Sequence, residues 1–157
     1  MRTDSIMPNQ IDALATALRA IVGPGHVLTA DADTARYTAD WRRNFPGVAR
    51  AVVRPANTQE VSRVVELCAA QRVAVVPQGG NTGLVGGSTP DASGREVVLS
   101  LDRMTAVRRV DMLDNSITLE AGCTVLAAQQ AASGAGRLFA LSLASEGSAT
   151  VLSLIHI

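Results

Sequence analysis

The 157-residue chain contains no lysine, and all 14 of its basic residues are arginines. A Walker A phosphate loop needs a lysine that reaches the β- and γ-phosphates, so this class of nucleotide site is excluded. The glycine spacing G-x-G-x-x-G, which opens the first helix of a Rossmann dinucleotide-binding fold, is absent as well. Any phosphate site in this chain must therefore have a different construction.

Aromatic residues make up 3% of the chain, and its formal net charge is zero. Few aromatic side chains are available to stack on nucleic-acid bases, and the chain has no net positive charge to attract a phosphate backbone. We therefore expect no nucleic-acid partner. The single tryptophan, Trp41, is expected to pack in the core. Arg42, Arg43 and Arg50 are expected on a solvated face. The alternatives are contact of Trp41 and Arg42 with a cofactor or substrate, and bidentate binding of a carboxylate by the arginines.

The two cysteines, Cys68 and Cys123, are too few for a metal framework. Both fall in apolar helical patterns, which favours buried thiols in a reducing compartment. No apolar run approaches the roughly 18 residues of a membrane-spanning helix. The polar stretch 1–10 is unlike a signal peptide. These observations predict a protein without a membrane span and with a cytoplasmic location.

Glycine is concentrated in one short stretch. Five of the 13 glycines lie between residues 79 and 87, directly after the apolar run Val73–Val76. Ordering such a loop is entropically costly, so it is typical of positive φ angles or of a ligand held against bare backbone. Successive N–H groups there can form a concave phosphate site. The strand-like run Val97–Leu101 follows, which predicts a phosphate cradle between two strands; a glycine-rich surface hairpin without a ligand is the alternative.

The hydrophobic periodicity predicts three helices and five strands around this loop. We expect strands Val48–Val53 and Val73–Val76 to be adjacent and parallel, with helix 58–71 packed on one face of them. The apolar face of that helix is Val61, Val64, Val65 and Cys68. The other expected elements are helices 9–22 and 124–133, strands 97–101, 106–111 and 116–120, and an irregular segment 26–47.

Three stretches together resemble one family of flavoenzymes. They are Val53-Arg54-Pro55 with Glu60-Val61, the loop Val76–Gly83, and the later run Leu141–Thr150. The family is that of the FAD-linked oxidases and dehydrogenases of the vanillyl-alcohol oxidase type, and within it the D-lactate, glycolate and D-2-hydroxyglutarate dehydrogenases. The resemblance implies an α+β, PCMH-type FAD-binding domain made of two α/β subdomains, with FAD as its cofactor.

The resemblance also implies which residues meet FAD. The glycine loop would hold the pyrophosphate by backbone N–H groups, and the later run would line the isoalloxazine and ribityl portions. Asn81 stands where covalent members of the family carry the flavin-linked histidine, so the resemblance implies non-covalent FAD. The implied cofactor-binding residues are Pro77, Gln78, Gly79, Gly80, Asn81, Thr82, Gly83, Leu84, Gly86, Gly87, Ser88, Leu143, Ala144, Ser148 and Ala149.

The activity implied by the resemblance is oxidation of a small D-2-hydroxy acid to the 2-keto acid, with the electron acceptor left open. The alternatives are an FAD-dependent reductase of the cell-wall precursor type and a non-catalytic nucleotide-binding module. We identify no catalytic acid, base or nucleophile and no metal ligand in the sequence. Ser88 is not a nucleophile elbow, because Pro90 stands where that motif requires glycine.

The expected domain division is an N-terminal helix over 1–25, the FAD-binding domain over 26–150, and a tail over 151–157 that does not match the family. A native terminal strand is the alternative for that tail. The second subdomain is expected to be truncated at Thr150. With the site half built, we expect this chain alone to bind FAD poorly or not at all, and to lack dehydrogenase activity; a dissociation constant at or below the micromolar range would contradict this.

Overall fold

The computed structural model describes residues 8–154, with the backbone alone for residues 8–12. Within this range the chain combines helices with two separate sheets, which confirms the α+β class. The helices are α1 (Pro8–Val22), α2 (Asp31–Thr34), α3 (Thr58–Ala70) and α4 (Val125–Gly134). The strands are β1 (Val27–Leu28), β2 (Ala49–Val53), β3 (Val75–Gln78), β4 (Glu96–Ser100), β5 (Val107–Asp111) and β6 (Ser116–Leu119).

The larger sheet has the strand order β1-β2-β4-β3. Strands β2 and β3 are both parallel to β4, and β1 pairs antiparallel with β2. The strands β5 and β6 form a separate antiparallel hairpin. The glycine-rich loop therefore connects β3 to β4, between two neighbouring parallel strands and without an intervening helix.

The expectation that the strands around residues 48–53 and 73–76 are adjacent is wrong, because β4 lies between them. Both strands do belong to one sheet, and both are parallel to β4. The physical reason is burial: Val97 and Val98 of β4 are fully buried, as a central strand requires. Strand β3 includes Pro77, whose ring nitrogen has no hydrogen to donate, and such a strand is tolerated at an edge.

Helix α3 begins where the sequence predicts, because the side chains of Asn57 and Glu60 cap its first turn. The Asn57 side chain accepts a hydrogen bond from the Glu60 N–H at 2.9 Å, and the Glu60 carboxylate accepts one from the Ala56 N–H at 2.7 Å. Val64 and Cys68 are fully buried against the sheet, as expected. Val65 is 44% exposed, so its assignment to the apolar face is wrong; Leu67 packs on the core instead.

The segment 26–47 is more regular than expected, since it contains β1, α2 and a short 3-10 helix over Ala35–Tyr37; a second 3-10 helix, Pro24–His26, ends at its first residue. A strand of two residues carries no detectable periodicity, which explains why β1 was missed. Tyr37 is buried and packs against Val52 and Val98. Trp41 is 81% exposed, so the expectation that it packs in the core is wrong.

Cys68 and Cys123 are both buried and free, as the sequence predicts. Burial raises the pKa of each thiol, so neither is primed as a thiolate nucleophile. Between residues 8 and 154, no helix is long and apolar enough to cross a membrane.

Candidate functional site

The ten residues 79–88, which we call the cradle loop, close on themselves at their base. The Gln78 side-chain amide donates to the Ser88 carbonyl at 2.7 Å, and the Ser88 hydroxyl donates to Asn81 Oδ1 at 3.0 Å. These bonds bring the end of the loop back to its beginning. The loop therefore has a defined shape despite its glycine content.

The same two amide side chains tie the cradle loop to the segment before it in sequence. The Gln78 amide also donates to the Tyr37 carbonyl at 2.9 Å, and the Asn81 amide donates to the Ala39 carbonyl at 2.7 Å. Asn81 has a φ of 53°, a left-handed conformation that asparagine tolerates better than most residues. Both side chains are thus engaged in positioning the loop.

The paired glycines of the loop pack directly against residues 148–150. A Cβ on Gly79 would lie 2.0 Å from Thr150 Oγ1, and a Cβ on Gly80 would lie 1.7 Å from the Ser148 carbonyl oxygen. From sequence, such glycines are expected to reflect positive φ angles or a bound ligand. For these two, the structure supplies another reason, which is close contact with a distant part of the same chain.

The segment 144–150 is held in place by the start of α4. The N–H of Val125 donates to the Ala149 carbonyl at 3.0 Å, and the N–H of Leu126 donates to the Glu146 carbonyl at 2.9 Å. These are donors from the first turn of α4, which lack partners inside the helix. The two stretches that carry the resemblance, about 60 residues apart, consequently lie side by side.

An open cleft of about 430 Å³ lies between the two stretches. It is lined by Thr82 and Leu84 from the cradle loop and by Ala144, Ser145 and Ser148 from the opposite segment. Trp41 and Arg42 complete the lining. Four of the residues implied by the resemblance thus share one cleft: Thr82, Leu84, Ala144 and Ser148.

The other implied residues lie around this cleft rather than in it. Gly80 and Asn81 line a neighbouring cleft of about 340 Å³, together with Arg36 and Arg43. A third cleft of about 630 Å³ includes Pro77, Gly86 and Gly87. Gln78 and Ala149 are buried, Gly79 touches Thr150, Gly83 is exposed, and Leu143 and Ser88 are half-buried. Their roles toward a cofactor remain predictions.

The backbone of the cradle loop retains its capacity to donate hydrogen bonds. Among the described residues, no N–H group between positions 79 and 88 has a backbone acceptor. Gly83 and Gly87 have open space or only ordinary contact where a Cβ would stand. The loop therefore presents unpaired donors on an accessible surface, which is the requirement for an anion site.

The charge around the cleft is positive. Arg36, Arg42 and Arg43 line it and the neighbouring cleft, together with a single carboxylate, Asp40. That carboxylate is turned into the protein, where it accepts hydrogen bonds from the Phe45 N–H at 2.9 Å and the Arg42 N–H at 3.2 Å. The bond from Phe45, followed by those from Arg42 and Asn44, lowers the pKa of Asp40.

Trp41 and Arg42 line the central cleft although they are not among the residues that the resemblance implies. They are adjacent in the turn 40–45, which we call the Trp41 turn, and both line the central cleft. Residue frequencies favour burial for a tryptophan and a solvated face for an arginine. The available signal was their position directly after the buried Tyr37 segment, to which the cradle loop is tied.

Comparison with known families identifies the family to which this chain belongs. A family model described as an FAD binding domain matches residues 49–156. The chain belongs to this family of FAD-binding domains. FAD is thereby confirmed as its cofactor. The match extends beyond Thr150, where the sequence analysis places the start of an unrelated tail; the division into domains stays a prediction.

Two curated relatives of this FAD-binding domain are mitochondrial proteins. D-2-hydroxyglutarate dehydrogenase of Bos taurus is 36% identical over 132 residues, which cover 84% of this chain and 24% of the relative. A protein of Schizosaccharomyces pombe, whose name assigns it provisionally to the D-lactate dehydrogenases, is 37% identical over 123 residues, covering 78% of this chain and 23% of the relative. The chain thus spans about a quarter of the length of these relatives.

Solved structures confirm the PCMH-type fold of this FAD-binding domain. Alkyldihydroxyacetonephosphate synthase superposes with a TM-score of 0.80 at 20% identity, covering 96% of this chain and 29% of that one. p-Cresol methylhydroxylase superposes with a TM-score of 0.74 at 17% identity, covering 92% and 29% of the two chains. At these identities the likeness concerns the fold alone.

The residues of the FAD-binding domain fit the cofactor's diphosphate. The cradle loop offers unpaired backbone N–H groups, and the arginines beside it supply charge of the opposite sign. In the range 8–154, no cluster of three or more histidine, cysteine, aspartate or glutamate side chains is arranged to hold a metal ion.

Proposed function

We propose that this chain provides the FAD-binding part of a D-2-hydroxy acid dehydrogenase. The observation that carries the proposal is the juxtaposition of the cradle loop and residues 144–150 across one cleft, in a chain more than a third identical to such dehydrogenases. The substrate class is a small 2-hydroxy acid such as D-2-hydroxyglutarate, D-lactate or glycolate. The electron acceptor is not assigned. A cytoplasmic location is part of the proposal.

In this proposal the cradle loop binds the diphosphate of FAD. Its N–H groups would donate to the phosphate oxygens, and Asn81 and Gln78 hold the loop in the receptive shape. Bound FAD supplies a two-electron acceptor, so that the hydroxy acid loses a hydride from its α-carbon and a proton from its hydroxyl. The described residues thus contribute binding and orientation.

Non-covalent attachment is part of the proposal. The Asn81 side chain is committed to the Ala39 carbonyl and to the Ser88 hydroxyl, and an amide nitrogen is not a nucleophile toward the flavin ring. His26 lies in a 3-10 helix before β1, remote in sequence from the cradle loop. His156 lies outside the described residues.

The cradle is tested by titrating the isotopically labelled chain with FAD up to millimolar concentrations and following its backbone amide resonances. We expect saturable shifts in residues 79–88 and 144–150, because these groups would donate to or face the cofactor. Acid precipitation of the same sample should leave all of the flavin in the supernatant, since no covalent bond retains it. ADP should shift the cradle loop as well.

The hairpin β5–β6 is the internal control of this titration, since it forms a separate sheet. Its amides should stay unshifted. If millimolar FAD leaves the cradle loop unchanged, or shifts the hairpin as strongly as the loop, the proposed site is wrong. Flavin retained in the acid precipitate would contradict the non-covalent assignment.

The substrate class is tested by exchange into a relative. The stretch of the Bos taurus enzyme that aligns with this chain is replaced by the 132 aligned residues. We expect the hybrid to bind FAD and to retain oxidation of D-2-hydroxyglutarate, because the exchanged part would serve the same cofactor in the same reaction. The measurements are flavin content and dye reduction.

Two outcomes of the exchange would count against the proposal. A folded hybrid without flavin would show that these residues do not hold FAD. A hybrid with full flavin content that oxidises none of D-2-hydroxyglutarate, D-lactate and glycolate would contradict a role in D-2-hydroxy acid oxidation while leaving FAD binding intact. The unmodified relative, handled in parallel, fixes the reference rate.

A further inference from the structure

Trp41 is held in an exposed position, where its ring could stack on a planar ligand. Its side chain is 81% accessible, and an exposed tryptophan of this kind is more informative than an exposed leucine. It lines both the cleft of about 430 Å³ and the neighbouring cleft of about 340 Å³. A ligand that extended from one cleft into the other would therefore lie beside Trp41.

The exposure of Trp41 is imposed by a built turn. The buried Asp40 carboxylate accepts the N–H groups of Arg42 and Phe45, as described above. Arg43 has a φ of 56°, a conformation that arginine adopts only at a cost. The Phe45 ring packs on Gly86, where a Cβ would lie 2.8 Å from it. The turn is therefore docked on the cradle loop with its indole presented outward.

Arg42 stands beside Trp41 in the same cleft, and no salt bridge engages it within residues 8–154. By contrast, Arg36 and Arg54 both pair with Asp102. An arginine without an acidic partner, next to a loop of unpaired N–H groups, is suited to phosphate, because its guanidinium can donate two parallel hydrogen bonds.

We propose that the Trp41 turn forms one wall of the dinucleotide site, with Trp41 stacked on an aromatic ring of FAD and Arg42 paired with its phosphates. This inference rests on the proposed function, since FAD is the occupant. The observation behind it is that the turn and the cradle loop line the same cleft, through Trp41, Arg42, Thr82 and Leu84. One ligand in that cleft could contact both. A protein partner would not require the phosphate-binding backbone beside the indole.

The test measures dissociation constants for FAD, ADP and riboflavin with the unmodified chain and with Trp41→Ala, Trp41→Phe and Arg42→Gln. Loss of a stacking platform should weaken FAD binding about 10-fold or more in Trp41→Ala, whereas Trp41→Phe should stay within about 3-fold. Arg42→Gln should weaken FAD and ADP binding about 10-fold and leave riboflavin unaffected, because riboflavin has no phosphate. FAD binding by Arg42→Gln should also depend less on salt concentration than FAD binding by the unmodified chain.

Two matched controls lie on exposed surfaces away from the clefts. Arg63→Gln removes a charge from the outer face of α3, and Leu113→Ala shortens a side chain that is 98% exposed in the β5–β6 turn. Both controls should bind FAD like the unmodified chain. Trp41→Ala and Arg42→Gln should have the same melting temperature as the unmodified chain, since both side chains are exposed.

The outcomes separate the inference from the function on which it rests. If the unmodified chain binds FAD and both Trp41→Ala and Arg42→Gln stay within 2-fold of it, the Trp41 turn is not a wall of the site and the proposed function stands. Equal losses in the control variants would overturn the inference too. If neither FAD nor ADP binds at millimolar concentrations, the proposed function fails and this inference fails with it.

Discussion

Replacing Gly80 with alanine is expected to separate the cradle loop from residues 148–150 and to destabilise the chain by about 3 kcal/mol or more. The new methyl group would lie 1.7 Å from the Ser148 carbonyl oxygen and 2.7 Å from its carbonyl carbon. Both are backbone atoms, so no side-chain rotation relieves the overlap. At this chain length, the melting temperature should fall by about 6–12 °C. Thermal denaturation followed by circular dichroism measures it.

Gly87→Ala is the matched control for this prediction. Gly87 belongs to the same loop, has a φ outside the left-handed region, and has no atom within 4 Å of the position of a Cβ. Its replacement should be neutral or stabilise the chain by up to about 1 kcal/mol, because alanine restricts the unfolded chain. Equal melting temperatures for Gly80→Ala and Gly87→Ala would contradict the packing of the paired glycines on residues 148–150.

The glycine loop and helix α3 could be predicted from sequence because their signals are local. The density of glycine after an apolar run marks the loop, and Asn57 followed by Glu60 marks the first turn of α3. The strand order could not be predicted in the same way. Which strand lies between β2 and β3 depends on contacts far apart in sequence, and Pro77 was the only local hint that β3 is an edge strand.

The site shows the same division between local and distant causes. The resemblance named Thr82, Leu84, Ala144 and Ser148, and the structure brings them to one cleft. Trp41 was wrongly expected to be buried. Its exposure depends on the hydrogen bonds that the Asp40 carboxylate accepts within the turn, and composition does not reveal these bonds. The paired glycines were expected to reflect positive φ angles or a bound ligand, whereas their close neighbours, Ser148 and Thr150, lie about 70 residues away in sequence.

Gln78→Met is expected to loosen the whole base of the cradle loop. Gln78 is 1% exposed, and its amide nitrogen donates to the carbonyls of Tyr37 and Ser88 at 2.9 and 2.7 Å. Methionine has a similar length and no donor, so both carbonyls would be left without a partner. Each of the two losses costs about 1–3 kcal/mol, so the free energy of unfolding should fall by about 2–6 kcal/mol. Urea denaturation measures this change, and faster amide exchange should accompany it in residues 79–88.

A charged replacement at the same position should make the stability of the chain depend on pH. The carboxylate introduced by Gln78→Glu would face two carbonyl oxygens in a buried site, so its pKa in the folded chain should lie above that in the unfolded chain. Such a group contributes its stability below the unfolded pKa and loses it as the pH rises through the folded pKa. Gln78→Glu should therefore be more stable at pH 4 than at pH 7, relative to the unmodified chain.

Gln71→Met is the control for both Gln78 variants, because Gln71 follows α3 with an exposed side chain. It should change the free energy of unfolding by less than about 0.5 kcal/mol, as surface substitutions usually do. If Gln78→Met is as stable as Gln71→Met, the two carbonyls do not depend on the Gln78 amide. The cradle loop would then be shaped by its glycine contacts with residues 148–150, and Gln78 would have no part in positioning its backbone.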